Sequence, residues 1–159
     1  MIPEDILANI LSCFSQALVG TMGGSPADAC ITAGPPAIVE CCNGFAWVRM
    51  VRAYLTTTFP AFASTPQACP QNIWAIDVEL GITRCAPAPC DAAGAVCCDA
   101  HDTAQSIMMS DFAAMRNLWL CGCTGIDPKD MVIGPIVPYG PEGGCYGLKQ
   151  TATIRSLPN

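Results

Sequence analysis

The densest cluster of reactive side chains in this 159-residue chain is Cys97-Cys98-Asp99-Ala100-His101-Asp102. His101 is the only histidine, so a general-base mechanism near neutral pH would depend on it. The same region offers thiolates: Cys97, Cys98, Cys121 and Cys123 together with His101 make up a soft donor set of the type that binds zinc tetrahedrally. The spacing departs from the usual pairs of cysteines two or more residues apart. Adjacent pairs, Cys41-Cys42 and Cys97-Cys98, predominate instead, and on a strand such neighbours point to opposite faces. Asp77 and Glu79, two residues apart, share one face of an extended segment, which suits acid–base work or a charged sheet surface. Arg49 and Arg52 read as strand-surface ion-pair partners rather than as a phosphate site. No GxSxG elbow, Walker loop, HExxH helix or dinucleotide fingerprint occurs. The sequence therefore assigns no catalytic, cofactor-binding or metal-ligating residue, and no cofactor.

These residues need elements to position them. Ile6, Leu7, Ile10, Leu11, Phe14, Ala17 and Leu18 follow helical spacing. The helix begins at Pro3, with Glu4 and Asp5 at the positive end of its dipole, and stops at Gly20. Residues 20–37, rich in glycine and proline, read as a loop. Phe45–Thr58 reads as a strand with Trp47, Arg49 and Val51 alternating against Val48, Met50 and Arg52. Residues 59–71, with Pro60, Pro66 and Pro70, form a crossing loop. In the next strand Trp74, Ile76, Val78, Leu80 and Ile82 share one face, and Asp77, Glu79, Gly81 and Thr83 share the other. A second helix is expected to start at Asp102 as its cap, with Gln105 three residues on. Its apolar face is Ala104, Ile107, Met108, Phe112, Met115, Leu118 and Trp119, and Gly122 ends it. Strands at Met131–Val137 and Cys145–Arg155, joined by a turn at 138–144, close the chain as a hairpin. The expected fold is one α+β domain over residues 1–159: a mostly antiparallel four-stranded sheet with two packed helices, in the order helix, strand, strand, helix, strand, strand.

Composition narrows the function. Charged residues make up 13% and apolar residues 52% of the chain, with a net charge of −6. A basic footprint for phosphates is absent, so nucleic acid is not gripped by this surface. So little charge on so apolar a chain implies surface hidden against partners. The uncharged stretch from Ile6 to Ala27 fails as a signal peptide or membrane span: acids precede it, and Asn9, Ser12, Ser15 and Gln16 interrupt it. The expectation is synthesis and assembly in the cytoplasm without a membrane. The 12 cysteines then read first as buried, thiol-bearing hydrophobes. Zinc ligation, or disulfides formed once lysis releases the protein, are the alternatives.

Two resemblances carry functional content. Cys97–Asp102 resembles the CCxxHD core of secreted phospholipases A2, which implies a hydrolase with His101 activating water and Asp102 helping to hold calcium. The flanks depart from that family: DAAGAV stands where a glycine-rich calcium loop belongs, and Thr103 and Ala104 stand where a cysteine and tyrosine belong. The stretch GPIVPYGPEGGCYGLKQTATI, Gly134 to Ile154, is similar to a recurring string in structural proteins of tailed phages of actinobacteria. CCNGFAWVRMVRAY, Cys41 to Tyr54, and VELGITRCAP, Val78 to Pro87, resemble earlier strands of the same family. Gln150 stands near a place where the family carries an aromatic.

The phage resemblance implies a non-enzymatic neck protein at the head-tail junction of the virion. The tail terminator is the expected member, and a head completion, stopper or adaptor protein is the alternative. It implies a homo-oligomeric ring of six, the major tail tube protein on one side and a stopper or adaptor ring on the other, with DNA passing through the lumen unbound. Loops 20–37, 59–71 and 138–144 are the expected contact loops. Six copies would carry a total charge of about −36, and such a lumen offers DNA no counterion release.

Overall fold

The computed structural model describes residues 3–36, 42–63 and 73–156. The elements run α1 (Pro3–Val19), β1 (Asp28–Ile31), β2 (Phe45–Thr56), β3 (Ile73–Cys85), α2 (Cys98–Leu120), a 3-10 turn (Pro128–Asp130), β4 (Met131–Glu142) and β5 (Cys145–Ser156). The α+β class is as expected. The sheet has five strands rather than four, in the order β1-β2-β3-β5-β4, and it is mixed because β1 lies parallel to β2. β1 arises inside the segment that reads as a loop. Its four residues are all exposed, so it carries no period-2 pattern, and its pairing is the parallel ladder along Phe45–Val48.

One core forms where both helices cover one face of the sheet. Ile6, Leu7, Ile10, Phe14 and Leu18 of α1, joined by Cys13, pack with Met115, Leu118 and Trp119 of α2 against Val48, Ile76, Val78, Leu80, Ile82, Leu148, Ala152 and Ile154. The strands align these residues in rows, Ala46–Ile82–Leu148 and Val48–Leu80–Gln150 among them. The alternating positions of β3 and most of the helix-spaced positions of α1 are therefore the core, as periodicity predicts, whereas on α2 Met115, Leu118 and Trp119 are buried and Ala104, Ile107, Met108 and Phe112 only half-buried. Trp74 keeps the predicted face but lies beyond the helices, and 44% of it is exposed. No helix among the described residues is long and apolar enough to cross a membrane.

Three local expectations change. α2 begins at Cys98 with Cys97 at its N-cap, so Asp102 lies within the helix and is not its cap. The Cys90–Cys97 disulfide ties this start to the preceding turn, and Asp99 supplies first-turn negative charge. The hairpin turn is narrower than 138–144: β4 continues to Glu142, and the chain reverses at Gly143 and Gly144, both with positive φ. That pair matches the two-residue turn whose twist suits a hairpin. Simple alternation also fails in β2, because Val51 bulges out of the ladder between Met50↔Val78 and Arg52↔Asp77.

The cysteines are not a set of buried thiols. Cys13–Cys123, Cys42–Cys85 and Cys90–Cys97 are disulfides, Cys145 is also oxidised, and Cys30, Cys98 and Cys121 are free and exposed. Cys41 and Cys69 lie outside the described residues. Cys13–Cys123 closes a separation of 110 residues, tying α1 to the segment after α2. Replacing both cysteines with serine is expected to lower unfolding stability by about 3–5 kcal/mol, measured by chemical denaturation without reductant. The same substitutions should have little effect on protein kept fully reduced.

Candidate functional site

The residues that invite catalytic readings do not converge. His101 and Asp102 are exposed on the first two turns of α2. His101 borders a shallow cleft of about 210 Å³ with Pro87, Met108, Pro138 and Tyr146. No side-chain hydrogen bond links His101 to a carboxylate among the described residues. The zinc set is also separated: Cys97 is bonded to Cys90, and Cys123 to Cys13. Cys98 opens α2 and Cys121 follows its last residue, roughly 34 Å away at the helical rise.

Asp77 and Glu79 are held in ion pairs on the sheet face opposite the helices. Arg49 donates to Glu79 at 2.7 Å, and Lys149 approaches the other Glu79 oxygen at 3.6 Å. Arg52 donates to one Asp77 oxygen at 2.5 Å, and the Thr153 hydroxyl donates to the other at 2.6 Å. Both carboxylates are thus shared across β2, β3 and β5. The Val51 bulge makes this possible, since strict alternation would turn Arg52 toward the helices. Arg49 and Arg52 are the surface ion-pair partners expected from sequence. Asp77, first by its hydrogen bond, raises the Arg52 pKa.

Aromatic rings cover the same face next to the ion pairs. Trp47 lies over Gly81 and Tyr139 over Gly147, at positions where an added Cβ would collide with the rings. Tyr139 hydrogen-bonds Thr83 and donates to the Ile82 carbonyl. With Pro35, Pro36, Glu79 and Lys149 these rings border a cleft of about 270 Å³. Of the charges lining it, Arg49, Glu79 and Lys149 are paired with one another.

The strongest polar cluster is one the sequence reading missed. Arg84, at the end of β3, is buried on the helix side and grips Asp111 of α2 with two parallel bonds of 3.0 and 2.9 Å. Its remaining donors reach the Gly23 carbonyl at 2.8 Å and the Gly24 carbonyl at 3.0 Å, in the loop after α1. A Cβ on Gly23 would meet the guanidinium at 2.5 Å, so a larger residue there would have to push Arg84 away from its partners. The signal available in the sequence was a lone arginine in an apolar strand and a lone aspartate among the apolar positions of α2.

Gln150 is buried at 4% exposure. It accepts from the Trp119 indole at 2.9 Å and donates to the Gly134 carbonyl at 2.9 Å. The amide therefore joins α2 to β4 by hydrogen bonds. Of the expected contact loops, 20–36 and 138–144 are described; loop 59–71 is described only as far as residue 63.

No protein-family model matches the chain. No curated protein matches it either.

Two outcomes follow from this geometry. Arg84→Met or Asp111→Leu alone should destabilise the fold by about 3–5 kcal/mol in denaturant titrations, because each leaves a buried charge unpaired. The double variant should regain part of that loss. Burial is the first cause raising the pKa of Tyr54, Tyr139 and Tyr146 above 10.0. The folded chain thus holds the phenolic protons more tightly than the unfolded chain, so this contribution to stability is full below pH 10 and is lost as pH rises through the folded values. Phenolate absorbance of native protein should appear at higher pH than in urea-unfolded protein, and coincident curves would contradict the burial.

Proposed function

We propose that the chain is a structural, non-enzymatic virion protein of a tailed bacteriophage. It would form a ring at the head-tail junction and act as the tail terminator, capping the finished tail tube and joining it to the filled head. The observation that carries this reading is where the family-like stretches fall. Cys41–Tyr54 supplies most of β2, Val78–Pro87 most of β3, and Gly134–Ile154 the β4–β5 hairpin. These are the four consecutive antiparallel strands of the sheet, so the resemblance covers a continuous structural unit.

Other features support the same reading. The order of long elements is helix, strand, strand, helix, strand, strand, the arrangement the resemblance implies. Large apolar side chains stand exposed at the sheet margins, among them Met50, Val51, Phe62, Val132 and Val137, as expected of a subunit covered by siblings. The net charge of −6 per chain disfavours adhesion to DNA passing through a lumen. Disulfides suit a particle that leaves the reducing cytoplasm at lysis. A stopper or adaptor at the same junction would draw on these features too, and the two positions differ in phenotype.

Phage lacking the gene should assemble overlong or undocked tails beside DNA-filled heads when viewed by electron microscopy. Heads that leak DNA, with tails of normal length, would assign the chain to the stopper position. Normal virions would contradict both.

A further inference from the structure

Three cysteines among the described residues are free and exposed, Cys30, Cys98 and Cys121, while Cys13 of the core is bonded to Cys123. A free thiol in so oxidised a chain acquires a role when a disulfide lies within its reach, because a thiolate displaces one sulfur of a disulfide and takes its place. Cys30 stands on β1 opposite Trp47. Cys98 follows the half-cystine Cys97 directly, and neighbouring Cα atoms, about 3.8 Å apart, are too close for an unstrained bridge, which spans about 4.4–6.8 Å. Cys121 differs from both. A single residue, Gly122, separates it from the half-cystine Cys123.

The end of α2 presents these sulfurs together. Cys121 is the C-cap, and its amide donates to the Asn117 carbonyl at 3.0 Å. Gly122 follows with a φ of 66°, and the Gly125 amide closes a turn on the Gly122 carbonyl at 3.2 Å. Two steps of chain span at most about 7 Å, so a small rotation about this glycine brings Cys121 and Cys123 to bridging distance. Exposure then orders the three sulfurs. Cys121 and Cys123 are exposed, whereas Cys13 is 7% exposed and packs in the core. Displacement at sulfur runs in line, with the nucleophile entering opposite the leaving group. The accessible target is therefore the sulfur of Cys123, and the sulfur that departs is that of Cys13.

We propose that Cys121 is a resolving thiol that makes and releases the disulfide holding α1. Its thiolate attacks Sγ of Cys123; the Cys121–Cys123 bond forms as the Cys13–Cys123 bond breaks. The electron pair leaves on Cys13, which takes up the proton that Cys121 gave up, so no oxidant or reductant is consumed. The neutral Cys13 thiol packs among its apolar neighbours as a small hydrophobe, and α1 loses its covalent tie to the segment after α2. The reverse step installs the tie. A low-molecular-weight disulfide takes two electrons and two protons from the exposed Cys121 and Cys123 and becomes two thiols. Cys13, buried from such an oxidant, then displaces Cys121. The exchange stands on this sulfur cluster alone and does not depend on the junction role proposed above.

The test follows the linkage in the whole oxidised protein. It is incubated with substoichiometric reduced glutathione at about pH 8, quenched in acid, digested unreduced with pepsin and mapped by mass spectrometry. Glutathione opens the disulfide at the exposed Cys123 sulfur, and Cys121 then expels it, so the wild type accumulates a Cys121–Cys123 peptide together with a free Cys13. In Cys121→Ser only the return of Cys13 remains, and loss of the Cys13–Cys123 peptide should be slower by about tenfold or more. Cys98→Ser, which removes the thiol at the other end of α2, should behave as the wild type, with circular dichroism confirming that both variants fold. Absence of the Cys121–Cys123 peptide from the wild type overturns the proposal without reference to any variant. Equal loss of the Cys13–Cys123 peptide in wild type and Cys121→Ser, or the same slowing in Cys98→Ser, overturns it as well.

Discussion

The guanidinium of Arg84 is the point at which β3, α2 and the loop after α1 meet. Its fork takes the Asp111 carboxylate of α2, and its other donors take two carbonyls of the loop leaving α1. A buried cation of this kind is costly unless every donor is satisfied. Here the satisfaction comes from two separate elements, α2 and the loop after α1, so each is held against β3 by the need to solvate one charge. The register of α2 along β5 and the path from α1 into β1 follow from it. Trp119 and Gln150 fix the far end of α2 against β4 in the same manner, with neutral groups.

The two faces of the sheet then have different tasks. The helix side is a conventional apolar core. The other side distributes charge so that each carboxylate of β3 is neutralised from the adjoining strands, and rings laid over glycines fill the space between. That face is rigid and polar with little free charge, which suits stacking on another protein surface better than binding a small ionic ligand. The exposed large apolar side chains are spread over the molecule: Met50, Val51, Val132, Ile133 and Val137 on β2 and β4, and Val19, Met22, Met109 and Leu120 on the helices and the loop after α1.

Much of this was legible from periodicity. The helical repeat of α1 and the strict alternation of β3 identify core residues because burial on one face forces those periods. What escaped had no period to reveal it. β1 is four exposed residues whose pairing is decided by the chain returning beside it, and the Val51 bulge shifts faces at a position where the residue types give no warning. Arg84 and Asp111 are far apart in sequence and look like ordinary surface residues until the fold buries them together. His101 and Asp102 show the opposite case: they match a motif, yet the helix start falls at Cys98 and leaves them exposed. The cysteines also needed the third dimension, since Cys13 and Cys123 become neighbours only when α1 and α2 pack side by side.

Low charge and exposed apolar side chains are the marks expected of a subunit in a collar, the role proposed above. Native mass spectrometry of freshly purified, oxidised protein examines that idea most directly. A dominant species at six times the chain mass is the predicted result. A chain that remains single at concentrations well above those found in an infected cell would contradict it.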